Sequence, residues 1–107
     1  MEFESGQYYH IFNRGNSSRK IFYNKENYSF FLRKMREYLG PYVSFISWCL
    51  MPNHFHWVVF VHRNSHTITT SDRMTKERSL NYSIGILLRS YTRAIQQQED
   101  FTGSLFQ

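Results

Sequence analysis

The segment Trp48-Cys49-Leu50-Met51-Pro52-Asn53-His54-Phe55-His56-Trp57-Val58-Val59-Phe60 carries two histidines, one residue apart, at the head of an apolar run. The residues that follow are aromatic and β-branched through Val61, a composition that favours a strand. Side chains alternate along a strand with period two. His54 and His56 therefore share one face with Val58 and Phe60. Phe55, Trp57, Val59 and Val61 take the other face and are expected in the core. Two imidazoles at this spacing can hold one divalent metal or grip one phosphate. Equally, one of them can be a satisfied rim residue and the other incidental, so spacing alone does not decide. Pro52 and Asn53 tighten the approach to this strand, since proline fixes φ and removes a donor.

Upstream, Tyr42 to Leu50 reads as a partner strand, and Met51-Pro52-Asn53 is short enough to be a hairpin connection. Strict alternation puts Ile46, Trp48 and Leu50 on one face of that strand, and Val43, Phe45, Ser47 and Cys49 on the other. Cys49 is then expected to be a small buried hydrophobe. Antiparallel pairing of the two strands would set the histidines on a sheet, which fixes a site better than a loop does.

Gln7 to Asn13 forms a first strand, with Tyr8, His10 and Phe12 on one face and Tyr9, Ile11 and Asn13 on the other. It runs into Asn13-Arg14-Gly15-Asn16-Ser17-Ser18-Arg19-Lys20, a turn-forming stretch with three cationic side chains. Guanidinium and backbone N–H groups of such a loop can hold phosphates. Asn24 to Leu39 is a helix: Asn24 is a good N-cap, and Glu26 complements the dipole. Tyr28, Phe31, Leu32, Met35, Tyr38 and Leu39 repeat at helical spacing and read as core. Gly40-Pro41 stops it. Arg63 to Thr75 is polar and reads as a loop, with His62 and His66 at its start as solvated histidines. Ser79 to Gln98 is a second helix that buries Leu80, Ile84, Leu87, Leu88, Tyr91 and Ile95 and turns Arg89 and Arg93 outward. Asp100 to Gln107 reads as a loop.

The order strand, helix, strand, strand, helix is that of an α+β ferredoxin-like sandwich lacking its last strand, with two helices on one face of an antiparallel sheet. At 107 residues the chain allows one domain with one core. Lys plus Arg number 13 against 8 Asp plus Glu, giving a net charge of +5 and a pI near 9.6. A basic, aromatic-rich domain is a candidate for a nucleic-acid partner. The lone cysteine permits no internal disulfide and fits a reducing cytoplasm. The N-terminal residues do not read as a signal peptide, and no apolar stretch has the length of a membrane span, so no membrane partner is expected.

Tyr9-His10-Ile11-Phe12-Asn13-Arg14-Gly15-Asn16, Ile21-Phe22 and Cys49-Leu50-Met51-Pro52-Asn53-His54-Phe55-His56 resemble the single-tyrosine HUH transposases. More narrowly, they resemble the REP-associated tyrosine transposase branch of the insertion-sequence-200-like superfamily. Ser90-Tyr91-Thr92-Arg93-Ala94-Ile95 and Gly103-Ser104-Leu105-Phe106-Gln107 fit as well, so the resemblance spans essentially the whole chain. It implies a ferredoxin-like fold, recognition of single-stranded hairpin DNA, and cleavage and rejoining of that DNA. His54 and His56 would be the metal-binding pair for Mg²⁺ or Mn²⁺ and so part of the catalytic apparatus. Arg14, Asn16, Arg19, Lys20, Arg89 and Arg93 would contact nucleic acid. A tyrosine would attack phosphorus to give a 5′-phosphotyrosine and a free 3′-OH.

One departure from the pattern bears on activity. The nucleophilic tyrosine of the resembled family sits on a further helix after the Gly-Ser-Leu-Phe-Gln segment, with Asn or Gln four residues on as a third ligand. That tyrosine is therefore expected beyond Gln107, and the chain reads as C-terminally incomplete. Tyr91 is the alternative, but Ile95 occupies the fourth position after it, and Tyr91 lies on the apolar stripe. Tyr8, Tyr9 and Tyr82 have no better claim. An inactive fragment acting only as a DNA-binding module, through charge and aromatic stacking, is the other expectation. A sheet short of an edge strand also invites pairing with a second copy, so a homodimer is a further expectation.

Overall fold

A computed structural model describes residues 2–69 and 71–107; Met1, and Thr70 within the expected polar loop, lie outside them. In chain order the elements are β1 (Tyr8–Arg14), a short 3-10 turn (Asn16–Ser18), α1 (Lys25–Leu39), β2 (Val43–Met51), β3 (His54–Val61), β4 (Ser65–Thr69), β5 (Thr75–Ser79) and α2 (Leu80–Glu99). The fold is α+β, with every strand pairing antiparallel, and it is compatible with a ferredoxin-like sandwich. The main sheet has the order β1-β3-β2, and β4 and β5 form a separate ribbon. The histidine strand is therefore central, paired on both edges.

β3 alternates strictly between half-buried and buried residues from His54 to Val61. Phe55, Trp57, Val59 and Val61 enter the core with Phe31, Met35 and Leu39 of α1 and Leu87, Tyr91 and Ile95 of α2. The helices thus cover one face of the sheet and leave the histidine face open. Asn24 caps α1 as its composition predicts, its side chain accepting from the Asn27 N–H at 2.9 Å. Asn27 itself is buried within the helical stripe. Its amide is satisfied by Tyr23 N–H at 2.9 Å and by exchange with Gln98 of α2, Asn27 Nδ2 donating to Gln98 Oε1 at 2.9 Å. A buried amide needs such partners, and here they join the two helices.

β2 departs from strict alternation. Its register with β3 slips between Phe45, opposite Val59, and Ser47, opposite Val58. Ile46 is the additional residue, so the parity of every residue after it is reversed. Val43 and Phe45 point to the core side as expected. Ser47, Cys49 and Met51 do not share that face: they stand opposite Val58, His56 and His54 on the histidine side. Cys49 is consequently exposed and not a buried hydrophobe.

The polar segment Arg63 to Thr75 is not a plain loop. Thr67, Ile68 and Thr69 are β-branched, and β4 pairs with β5 from Ser65 opposite Ser79 to Thr69 opposite Thr75. Ser65 Oγ donates to Glu77 Oε1 across the ribbon at 2.7 Å. Tyr42 anchors the ribbon's far end: its hydroxyl donates to the Arg78 carbonyl at 3.1 Å and accepts from Ser83 Oγ at 3.0 Å. Ser79 then caps α2, accepting from Tyr82 N–H at 3.0 Å. Among the described residues no helix is long and apolar enough to cross a membrane.

Candidate functional site

The two-residue turn Pro52-Asn53 joins β2 to β3 and also organises the basic loop that follows β1. Gly15 N–H donates to the Asn53 carbonyl at 2.9 Å, and Ile21 and Phe22 N–H both donate to the Pro52 carbonyl, at 2.7 and 3.1 Å. Gly15 is required there by space. A Cβ at this position would sit 1.9 Å from the Arg19 carbonyl oxygen, where no rotamer change relieves the clash. The closing segment of the chain packs against the same loop. Asn16 N–H donates to the Leu105 carbonyl and Gln107 N–H to the Arg14 carbonyl, both at 2.8 Å, and Gly15 and Phe106 form an antiparallel bridge.

These contacts enclose a hollow at one end of the open sheet face, lined by Phe12, Asn13, Arg14, Ser18, Asn53, His54, His56 and Gln107. The register explains the convergence, since Arg14 stands opposite His54 and Phe12 opposite His56 on adjacent strands. The Arg14 guanidinium is oriented by its Nε, which donates to Gln107 Oε1. His54 Nδ1 donates to Asn53 Oδ1 at 2.8 Å. His56 Nδ1 lies 2.9 Å from His10 Nε2, a diagonal neighbour on β1. The His54 and His56 rings are 5.0 Å apart between centroids and nearly perpendicular. Partial burial holds the His56 imidazole below its usual range, and the neighbouring charges of His54 and His10 push the same way. Neutral imidazole is the form that binds a cation.

The other residues expected to contact nucleic acid lie apart from the hollow. Lys20 and Asn16 are exposed on the basic loop but do not line the hollow. Arg19 turns away from it and stacks on Phe101, with its guanidinium carbon 3.7 Å from the ring centroid. Arg89 and Arg93 are exposed on α2, beside Ser104, Leu105 and Phe106, on the helical side of the molecule. His62 bonds to Ser44 Oγ at 2.5 Å, and His66 packs on Tyr42, so neither joins the pair.

Among the described residues no tyrosine lines the hollow. Tyr91 is fully buried among Phe22, Phe30, Phe31 and Phe106, and its hydroxyl donates to the Ile21 carbonyl at 2.6 Å. Burial, reinforced by Tyr28 and Tyr23, pushes its phenol far above the usual range, the reverse of what a nucleophile needs. Tyr8 is exposed at the other end of the face, packed on Phe60.

Three residues of this region escape a reading of strand patterns. His10 is visible as a face-mate of Tyr8 and Phe12, but its partnership with His56 depends on inter-strand register. Cys49 and Met51 reach the histidine side only through the bulge at Ile46. No protein-family model, curated protein or solved structure matches this chain.

Proposed function

We propose that this domain binds single-stranded hairpin DNA and belongs to a metal-dependent strand cleavage and rejoining apparatus of the single-tyrosine HUH transposase kind. The observation that carries the reading is the convergence of His54, His56 and Arg14 on one hollow of an open, aromatic sheet face. Arg14 supplies positive charge for a backbone phosphate. Phe12 and Tyr8 are 64% and 67% exposed along the same face, which offers bases a stacking platform. The +5 net charge favours a polyanion in general.

The donor set fits a borderline divalent cation. His54 and His56 would hold it through nitrogen, which suits Mn²⁺ better than Mg²⁺, a cation that prefers oxygen. Among the described residues no group of three or more His, Cys, Asp or Glu gathers as a candidate metal site, so the pair would rely on water and phosphate oxygens to complete the shell. When bound, the metal would supply Lewis-acid stabilisation of charge on the phosphate. In the cleavage step a tyrosine oxygen bonds to phosphorus, the bond to the 3′ oxygen breaks, and that oxygen leaves as the 3′-OH. Reversal rejoins strands without an external energy source.

The second reading is DNA binding without cleavage by this chain, and it is favoured by one observation: among the described residues no tyrosine lines the hollow. Labelled hairpin DNA incubated with this chain and Mn²⁺ separates the two. The expected result is salt-sensitive binding, weakened by His54→Ala with His56→Ala and by chelation, and no covalent adduct from these 107 residues alone. Binding indifferent to chelation and to the double replacement leaves only the second reading. Absence of any binding to single-stranded or hairpin DNA overturns both.

A further inference from the structure

The hydrogen bonds behind the two histidines determine what those histidines can present to the hollow. Asn53 Oδ1 can only accept, so a neutral His54 carries its proton on Nδ1 and shows a lone pair on Nε2. The His10–His56 contact, 2.9 Å between His10 Nε2 and His56 Nδ1, admits two arrangements. If His10 donates, His56 carries its proton on Nε2, and the pair shows the hollow one acceptor and one donor. Such a mixed pair cannot chelate a cation, nor can it donate twice to a phosphate. If His56 donates, both ε nitrogens are lone pairs, and the pair is matched for a cation.

We infer that His10 is a positioning residue: its Nε2 accepts from His56 Nδ1–H and holds His56 in the tautomer whose Nε2 can bind a metal. Asn53 performs the same task for His54. This deepens the proposed metal reading and rests on it for its purpose, but the tautomer itself is a property of the metal-free protein. The geometry suits the task. His10 pairs directly with Val58, which places it diagonally from His56 across the β1–β3 ladder, within reach of a long side chain. The two rings lie nearly parallel, 19° apart at 5.1 Å between centroids, with Phe12 stacked on His56 and tilted against His10, so the bond is held in place from the sheet. His10 is exposed, and its Nδ1–H can be satisfied by water.

Metal-binding histidines commonly donate their other ring N–H to an acceptor, and loss of that acceptor costs roughly 10- to 100-fold in metal affinity. The tautomers are read from long-range ¹H–¹⁵N spectra of the full chain without metal, well above the imidazole titration range. His54 and His56 are expected to show Nδ1–H, whereas a free imidazole side chain favours Nε2–H. His10→Ala should move His56 alone to the Nε2–H form and weaken Mn²⁺ binding, titrated with the metal ion alone, about 10-fold or more. His10→Gln, whose Oε1 can accept from the same N–H, should restore both. A residue that merely supported the sheet would not move one tautomer and leave the other. The inference is overturned if His56 of the unmodified chain shows Nε2–H, if His10→Ala leaves its tautomer unchanged, or if the unmodified chain binds Mn²⁺ and His10→Ala leaves that affinity unchanged. Predicted tautomers in a chain that binds no Mn²⁺ would refute the metal reading while upholding the role of His10 in fixing His56.

Discussion

Replacing Tyr91 with Phe separates a structural tyrosine from a catalytic one. The substitution keeps the ring and its contacts with Phe22, Phe30, Phe31 and Phe106, and removes only the hydroxyl. That hydroxyl makes a 2.6 Å bond to the Ile21 carbonyl in a fully buried setting. Leaving a buried acceptor unpaired costs about 1–3 kcal/mol, more than the roughly 1 kcal/mol net value of an ordinary hydrogen bond. In a domain of this size each kcal/mol moves the melting temperature by about 4 °C, so a fall of roughly 4–12 °C is expected in thermal unfolding followed by circular dichroism. Binding of hairpin DNA, measured well below the transition, should be unchanged, because Tyr91 lies beneath the sheet and away from the hollow. The assay pairs the melt with a denaturing gel for covalent protein–DNA adducts in Mn²⁺. A variant of full stability that loses an adduct formed by the unmodified chain would show that Tyr91 leaves its cage to act as nucleophile, and the structural reasoning would fail.

Gly15→Ala should destabilise by about 2 kcal/mol or more, since its Cβ meets the Arg19 carbonyl oxygen at 1.9 Å and the backbone must move; a melt that is unchanged would count against the loop geometry. Ser79→Ala removes the cap of α2 and should cost about 1 kcal/mol in chemical denaturation. Arg14→Ala should reduce the slope of log K against log salt for single-stranded DNA by about 0.7, one phosphate contact, and an unaltered slope would remove Arg14 from the interface. For His56, whose folded pKa lies below the unfolded value of 6.5, the unfolded chain binds the extra proton first. Stability should therefore fall as pH drops below 6.5 towards the lowered value, and His56→Gln should flatten that fall in melts across the range.

Much of this fold is legible in the sequence because its elements are locally consistent. β3 shows strict alternation, α1 a helical stripe behind an Asn cap, and the β2–β3 turn a Pro-Asn pair, and each signal sits within the element it specifies. What is not legible depends on contacts between elements. Thr67-Ile68-Thr69 has the composition of a strand, but a polar ribbon gains its definition from β5, which lies across a turn and carries Lys76, Glu77 and Arg78. A bulge leaves no mark in the alternation of Phe45-Ile46-Ser47, where all three residues suit a pleated surface. The consequence is large: one extra residue carries Cys49 from the expected core to a position opposite His56. Cys49 should therefore react stoichiometrically with a thiol reagent in the native chain, and a thiol that reacts only after denaturation would refute the bulge.

The candidate site divides along the same line. His54 and His56 are specified by adjacent positions on one strand, so their common face follows from period two alone. Arg14 and His10 reach them only because β1 runs antiparallel to β3 in a register that sets Arg14 opposite His54 and His10 opposite Val58. A slip of one residue would turn His10 and Phe12 into the core and bring Tyr9 and Ile11 to the open face. The apolar residues of the buried face thus fix the chemistry of the exposed one. Tyr9 and Ile11 pack against the core, and that preference holds the register in which His10 meets His56. The same coupling accounts for the position of the basic loop. Its backbone bonds to the Pro52 and Asn53 carbonyls tie it to the turn that starts the histidine strand. A substitution that loosens the turn should therefore disturb Arg14 and both histidines together, whereas one on α2 near Arg89 or Arg93 should leave all three in place.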